Sequence, residues 1–84
     1  MDIEQTRQKA AEIVKQFRKE NGLNQENLVD MSGVSAKSIY NVEKGKPVYE
    51  STLRKVMAAC DYEYIVEINH VLIKKKDTDS CTNG

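Results

Sequence analysis

Between residues 35 and 46 the chain gathers Ser35, Ala36, Lys37, Ser38, Tyr40, Asn41, Lys44 and Lys46 around a single acid, Glu43. A lysine ammonium can donate to the O6 and N7 acceptors of guanine. An asparagine amide can pair in two bonds with N6 and N7 of adenine, and an alanine methyl suits the methyl of thymine. Hydroxyls and ammonium groups suit phosphate oxygens, contacts that fix register without reading sequence. Seen alone, Lys37, Lys44 and Lys46 read as ordinary solvated lysines, and the set points to an anionic, base-bearing polymer only where a motif presents it on one helix. No Ser-His-Asp or Cys-His arrangement, metal-ligand cluster or phosphate-binding loop stands out along the chain. The expectation is therefore a protein that is not an enzyme and uses no cofactor or metal.

The elements that must hold these groups can be read from periodicity. Residues 3–20 suggest a helix, with Ile3, Ala10, Ile13, Val14 and Phe17 at helical spacing. Asn21-Gly22 stops it, Gly22 being able to take a left-handed cap. Asn24 is a good N-cap for a short second helix opening at Gln25. Its third residue is Asn27 rather than Glu or Gln, so a full capping box is not expected. Leu28, Val29 and Ser32 would face inward, and Gly33 breaks the helix. Ser35 caps a third helix over Ala36–Glu43, with Ile39 and Val42 on its apolar side and Gly45 and Pro47 past its end. Residues 36, 37, 40, 41 and 44 then point the other way. A fourth helix begins at Glu50 or Ser51, carries Leu53, Val56, Met57 and Cys60, and ends near Asp61.

After Asp61 the period changes. Tyr64, Val66 and Ile68 alternate within a β-branched and aromatic stretch, and Val71-Leu72-Ile73 follows. This favours a strand over residues 62–74. It has three ways to be satisfied: pairing with the same strand of a second molecule, folding back around Asn69-His70, or forming an amphipathic fifth helix. The first is preferred here. Residues 75–84 are charged and polar and read as a disordered tail.

With 84 residues, 39% hydrophobic and 31% charged, the chain suits one small globular domain. Residues 1–61 are read as its helical body. A core of this size is marginal and gains from pairing with a second copy. No apolar run is long enough for a bilayer, and the start of the chain lacks a secretory or transit pattern, so the expected location is the cytoplasm. Thirteen basic residues balance thirteen acidic ones. A nucleic-acid partner would have to be met by a local basic face, since Asp2, Glu4, Glu12 and Glu20 fall on the first helix. Cys60 reads as a small core residue and Cys81 as an exposed thiol.

The segment 24–44 meets the demands of a helix-turn-helix. Leu28, Val34, Ile39 and Val42 fall where two steeply crossed helices touch, and Gly33 stands at the turn. Five of six positions fit. The departure is Val29, at a place where close helix approach usually wants alanine.

From Val14 to Cys60 the chain resembles the phage repressor and Cro type of helix-turn-helix, the XRE family. The resemblance rests on Phe17-Arg18, on residues 23–28, on Gly33-Val34-Ser35, on residues 38–46 and on Thr52-Leu53 with Val56-Met57. It implies a mainly α, lambda-repressor-like domain of four or five helices that binds double-stranded DNA as a homodimer, from a bacterial or phage-derived source. It also implies that Arg18 pairs with Glu43 structurally and that Gln25 braces the recognition helix. A strand directly after the fourth helix resembles, over few residues, the HipB-like antitoxins, in which strands of two subunits form a small sheet.

The expected function is a sequence-specific transcriptional regulator, a repressor in the first reading, that reads a palindromic operator through the major groove. The alternative is an antitoxin that binds a toxin and autoregulates its operon. Lys37, Asn41 and Ala36 are the base-reading candidates. Gln25, Ser35, Ser38, Tyr40, Lys44 and Lys46 are the phosphate candidates, Gln25 because it opens a helix whose N–H groups attract phosphate. Ser35 serves as a cap as well. Tyr40 stands between phosphate contact and surface packing. Tyr49, Tyr62 and Tyr64 read as core or dimer residues, His70 as structural or surface, and Lys74-Lys75-Lys76 as a solubilising strand end.

Overall fold

The computed structural model describes residues 3–68 and 70–76. Expectations for Asp2, Cys81 and the tail from residue 77 fall outside them. Four helices are followed by a β-hairpin: α1 Ile3–Asn21, α2 Gln25–Ser32, α3 Ala36–Glu43, α4 Glu50–Ala59, β1 Tyr62–Glu67 and β2 His70–Lys75. The mainly helical domain with a C-terminal β element is thus as the sequence indicated.

The helices are set by their ends. Gly22 takes φ 63°, and the Leu23 N–H donates to the Arg18 carbonyl at 2.8 Å. This is a Schellman closure, which satisfies a carbonyl that the last turn of α1 would otherwise leave open. At α2 the structure corrects the sequence reading. The Asn27 N–H donates to Asn24 Oδ1, and the Asn24 N–H donates to Asn27 Oδ1, both at 2.8 Å. The box is complete because the shorter asparagine amide still reaches back across the first turn. Gly33 ends α2 at φ 74°, with its N–H donating to the Val29 carbonyl. Ser32 is half-buried; its hydroxyl donates to the Leu28 carbonyl and accepts from the Val34 N–H.

One core joins the elements. Ala10, Ile13 and Val14 of α1 meet Leu28, Ile39 and Val42, and α4 closes the cluster with Leu53, Val56, Met57 and Cys60. Val29, the departure from the motif, is half-buried and packs against this cluster. The larger residue is accommodated at the edge of the core.

The C-terminal segment is corrected in its pairing. It is not one strand awaiting another molecule but two antiparallel strands of the same chain, with Tyr64 opposite Ile73 and Ile65 opposite Leu72. The alternation places Tyr62, Tyr64, Val71 and Ile73 on one face, and these pack on the helices. β1 lies chiefly on α4, and β2 touches α1. That inward face explains the fold-back: it buries the apolar set within one protomer. Asp61 makes the bend at φ 65°, a left-handed conformation that aspartate tolerates better than most residues. Its carbonyl accepts from the Lys76 N–H at 2.9 Å. The sheet therefore runs through Lys75, past residue 74 where the sequence reading ends the strand, and Lys75 belongs to β2 rather than to a tail.

Candidate nucleic-acid interface

α3 is one helix with two opposed faces. Ile39 and Val42 are buried, at 0% and 2% exposure. Ala36, Lys37, Tyr40 and Lys44 are exposed, and Ser38 and Asn41 are half-exposed. Lys37 and Asn41 are four residues apart, so they stand one above the other on a helix face. Ser35 starts the helix: its Oγ accepts from the Ser38 N–H at 3.2 Å, and the two hydroxyls lie 3.1 Å apart. The cap occupies one acceptor of Ser35 and leaves the residue exposed. At the other end Gly45 takes φ 72°, and the Lys46 N–H donates to the Asn41 carbonyl at 2.9 Å. Lys46 is thereby held close to the last turn of α3.

Glu43 is turned away from this face. Arg18 Nη1 lies 3.2 Å from both of its carboxylate oxygens. Gln25 Nε2 adds a hydrogen bond at 3.3 Å. The carboxylate is only 10% exposed and the guanidinium 23%. Three helices thus meet at one carboxylate: α1 through Arg18, α2 through Gln25 and α3 through Glu43. The arrangement sets the angle of α3 and compensates the helix's one negative charge internally. Among the described residues Arg18 Nε and Glu43 Oε2 have no hydrogen-bond partner, and Oε2 is compensated there by its proximity to Arg18 Nη1.

Tyr40 is flanked by two cations. Lys44 Nζ lies 5.5 Å and Lys46 Nζ 5.7 Å from the ring centroid. Such contacts hold a flexible ammonium over a ring face for roughly 0.5–1 kcal/mol at an exposed site. The sequence reading takes all three as separate candidates and misses that they form a group. A signal for it exists, since Tyr40 precedes Lys44 by one helical turn and Gly45 folds Lys46 back.

Among the other candidates, Tyr62 and Tyr64 pack against the core. Tyr49 does not: it is 84% exposed in the protomer. Cys60 is a buried free thiol. No group of three or more metal-ligating side chains occurs among the described residues, and no helix there is long and apolar enough to cross a membrane.

A family model described as helix-turn-helix matches residues 14–64, more than half of the chain, from the middle of α1 into β1. No curated protein and no solved structure matches.

Proposed function

Because the chain belongs to the helix-turn-helix family, of the XRE type of DNA-binding transcription regulators, we propose that it is a repressor that reads a palindromic operator with α3 in the major groove. One observation carries this reading. α3 exposes Lys37 and Asn41 while its acid is drawn back onto Arg18 and Gln25. A chain of zero net charge thereby presents a face that is locally cationic.

In this reading Lys37 donates to guanine, Asn41 pairs with adenine, and Ala36 touches a thymine methyl. Each good pair discriminates by about 1–3 kcal/mol. Ser35, Ser38, Tyr40, Lys44 and Lys46 meet phosphates on either side, with the two lysines gathered on Tyr40 before DNA arrives. Gln25 contributes chiefly by bracing Glu43; with the Asn27 N–H held by Asn24, the N–H groups of Gln25 and Glu26 are the ones that would meet a phosphate. A homodimer would carry two such helices roughly 34 Å apart, one turn of the duplex, which is why the operator should be palindromic.

Selection of duplexes from a random pool tests the proposal. Enrichment of a two-fold symmetric site supports it, and enrichment of no sequence contradicts it. We place the repressor reading ahead of an antitoxin because the antitoxin expectation rests on a strand shared between subunits, and this strand pairs first within its own chain. Purification with a tightly held second protein, encoded beside this one, would reverse that order.

A further inference from the structure

The hairpin has a second face. Its inward side chains pack on α1 and α4, so the alternation turns Glu63, Ile65, Glu67, Leu72 and Lys74 outward. Leu72 remains 41% exposed, and Ile65 beside it is half-buried. Glu63 and Lys74 are exposed and directly opposite one another. The outward face is thus an apolar pair, Ile65 and Leu72, with Glu63 and Lys74 on one side of it and Glu67 on the other, the acids on β1 and the base on β2. The hairpin takes its support from α1 and α4 through its inward face, which leaves the outward apolar pair beside water.

We propose that this outward face is the contact surface for a second copy of the chain, stacked sheet on sheet about a two-fold axis that runs along the strands. The charge order selects that axis. Rotation about it exchanges the strands while keeping height along them, so β1 of one protomer lies over β2 of the other. Glu63 then meets the partner's Lys74, Lys74 meets the partner's Glu63, and Ile65 and Leu72 interlock with the partner's Leu72 and Ile65. Rotation about an axis across the strands would instead lay β1 over β1 and bring Glu63 toward the partner's Glu67, a like-charge approach. The surface is complementary to itself in one orientation only, as an isologous contact requires. With two apolar residues from each side, the contact is small and belongs to the weak, concentration-dependent class. The inference deepens the dimeric reading above and does not depend on DNA being bound.

Sedimentation velocity on the full chain, without DNA, tests it with two single variants, Glu63→Lys and Lys74→Glu. The wild type should show reversible dimerisation between micromolar and about millimolar concentration, where an interface below standard size becomes visible. Each variant alone should lose about tenfold or more in association constant, because two opposite-charge contacts become two like-charge contacts. An equimolar mixture should recover the wild-type association. In the mixed dimer the introduced lysine of one chain meets the introduced glutamate of the other, and the second contact keeps its native Glu63 and Lys74. The mixture holds the same two chains as the separate samples, so damage to folding cannot mimic recovery. A wild type that stays monomeric, single variants that associate as the wild type does, or a mixture no better than its components would each overturn the proposal.

Discussion

Arg18 and Glu43 face each other across the interior edge of the domain, with one guanidinium nitrogen 3.2 Å from each carboxylate oxygen. The pair joins the last turns of α1 and α3, and Gln25 of α2 completes it. Its consequence is orientation. It sets how far α3 stands out from the body and which of its side chains face solvent.

Arg18→Met keeps the stem and removes the charge, which leaves a mostly buried carboxylate with Gln25 alone. The expected cost is about 2 kcal/mol, less than the roughly 3–5 of a fully buried pair because the guanidinium is partly solvated. Adding Glu43→Gln should recover part of the loss, since no unpaired charge remains. Urea unfolding of the two variants measures both terms. An equal loss in single and double variants would mean that charge compensation is not what the pair supplies.

The asparagine box at α2 should behave as a unit. Asn24→Ala should cost about 1 kcal/mol, and Asn27→Ala a similar amount. The double variant should cost less than their sum, because the two reciprocal bonds support each other across one turn. Thermal unfolding followed by circular dichroism decides it.

How much of this is legible in the sequence follows from the reach of each cause. Helix ends depend on near neighbours, so Gly22, Gly33, Ser35 and Gly45 mark theirs. Val34, Ile39 and Val42 show their burial by spacing alone. The box is hidden because propensity favours Glu or Gln at Asn27, whereas geometry needs only an amide oxygen at the right distance. The fold-back is legible only as one option of three, because alternation tells which residues share a face, not where a strand finds its partner. That depends on α4 and α1 offering a surface to Tyr64 and Ile73, a relation between distant parts of the chain. Tyr49 shows the same gap: an aromatic residue promises burial, and nothing nearby in sequence shows that the loop before α4 leaves it in solvent.

Lys44 and Lys46 should act on phosphate without reading bases. Lys44→Ala and Lys46→Ala should each weaken binding to all duplexes alike. Each should also reduce the slope of log K against log salt by about 0.9 for the lost charge. Tyr40→Leu, which removes the ring that holds both ammonium groups, should weaken binding with little change in slope. Titrations at several salt concentrations separate these effects.

Cys60 should be chemically silent in the native protein. Burial, and then the charges of Asp61 and Glu43, push its thiol from 9.0 up to about 12. In a Cys81→Ser variant, a maleimide at a pH of about 8 should label Cys60 only as fast as the domain unfolds. The same shift fixes a sign. The folded state holds this proton more tightly than the unfolded one, so the associated stability is complete below pH 9.0 and is lost as pH rises from there toward about 12. A Cys60→Ala variant should show a shallower loss over that window in urea titrations.

The central claim is that α3 reads bases through Lys37 and Asn41. Its most direct test repeats the random-duplex selection with Asn41→Ala and with Lys37→Ala. The account predicts that each variant loses preference at one position per half-site, adenine for Asn41 and guanine for Lys37, at a cost of about 1–3 kcal/mol on the wild-type site, while the rest of the palindrome is still enriched. Both variants enriching the same full site as the wild type would contradict it.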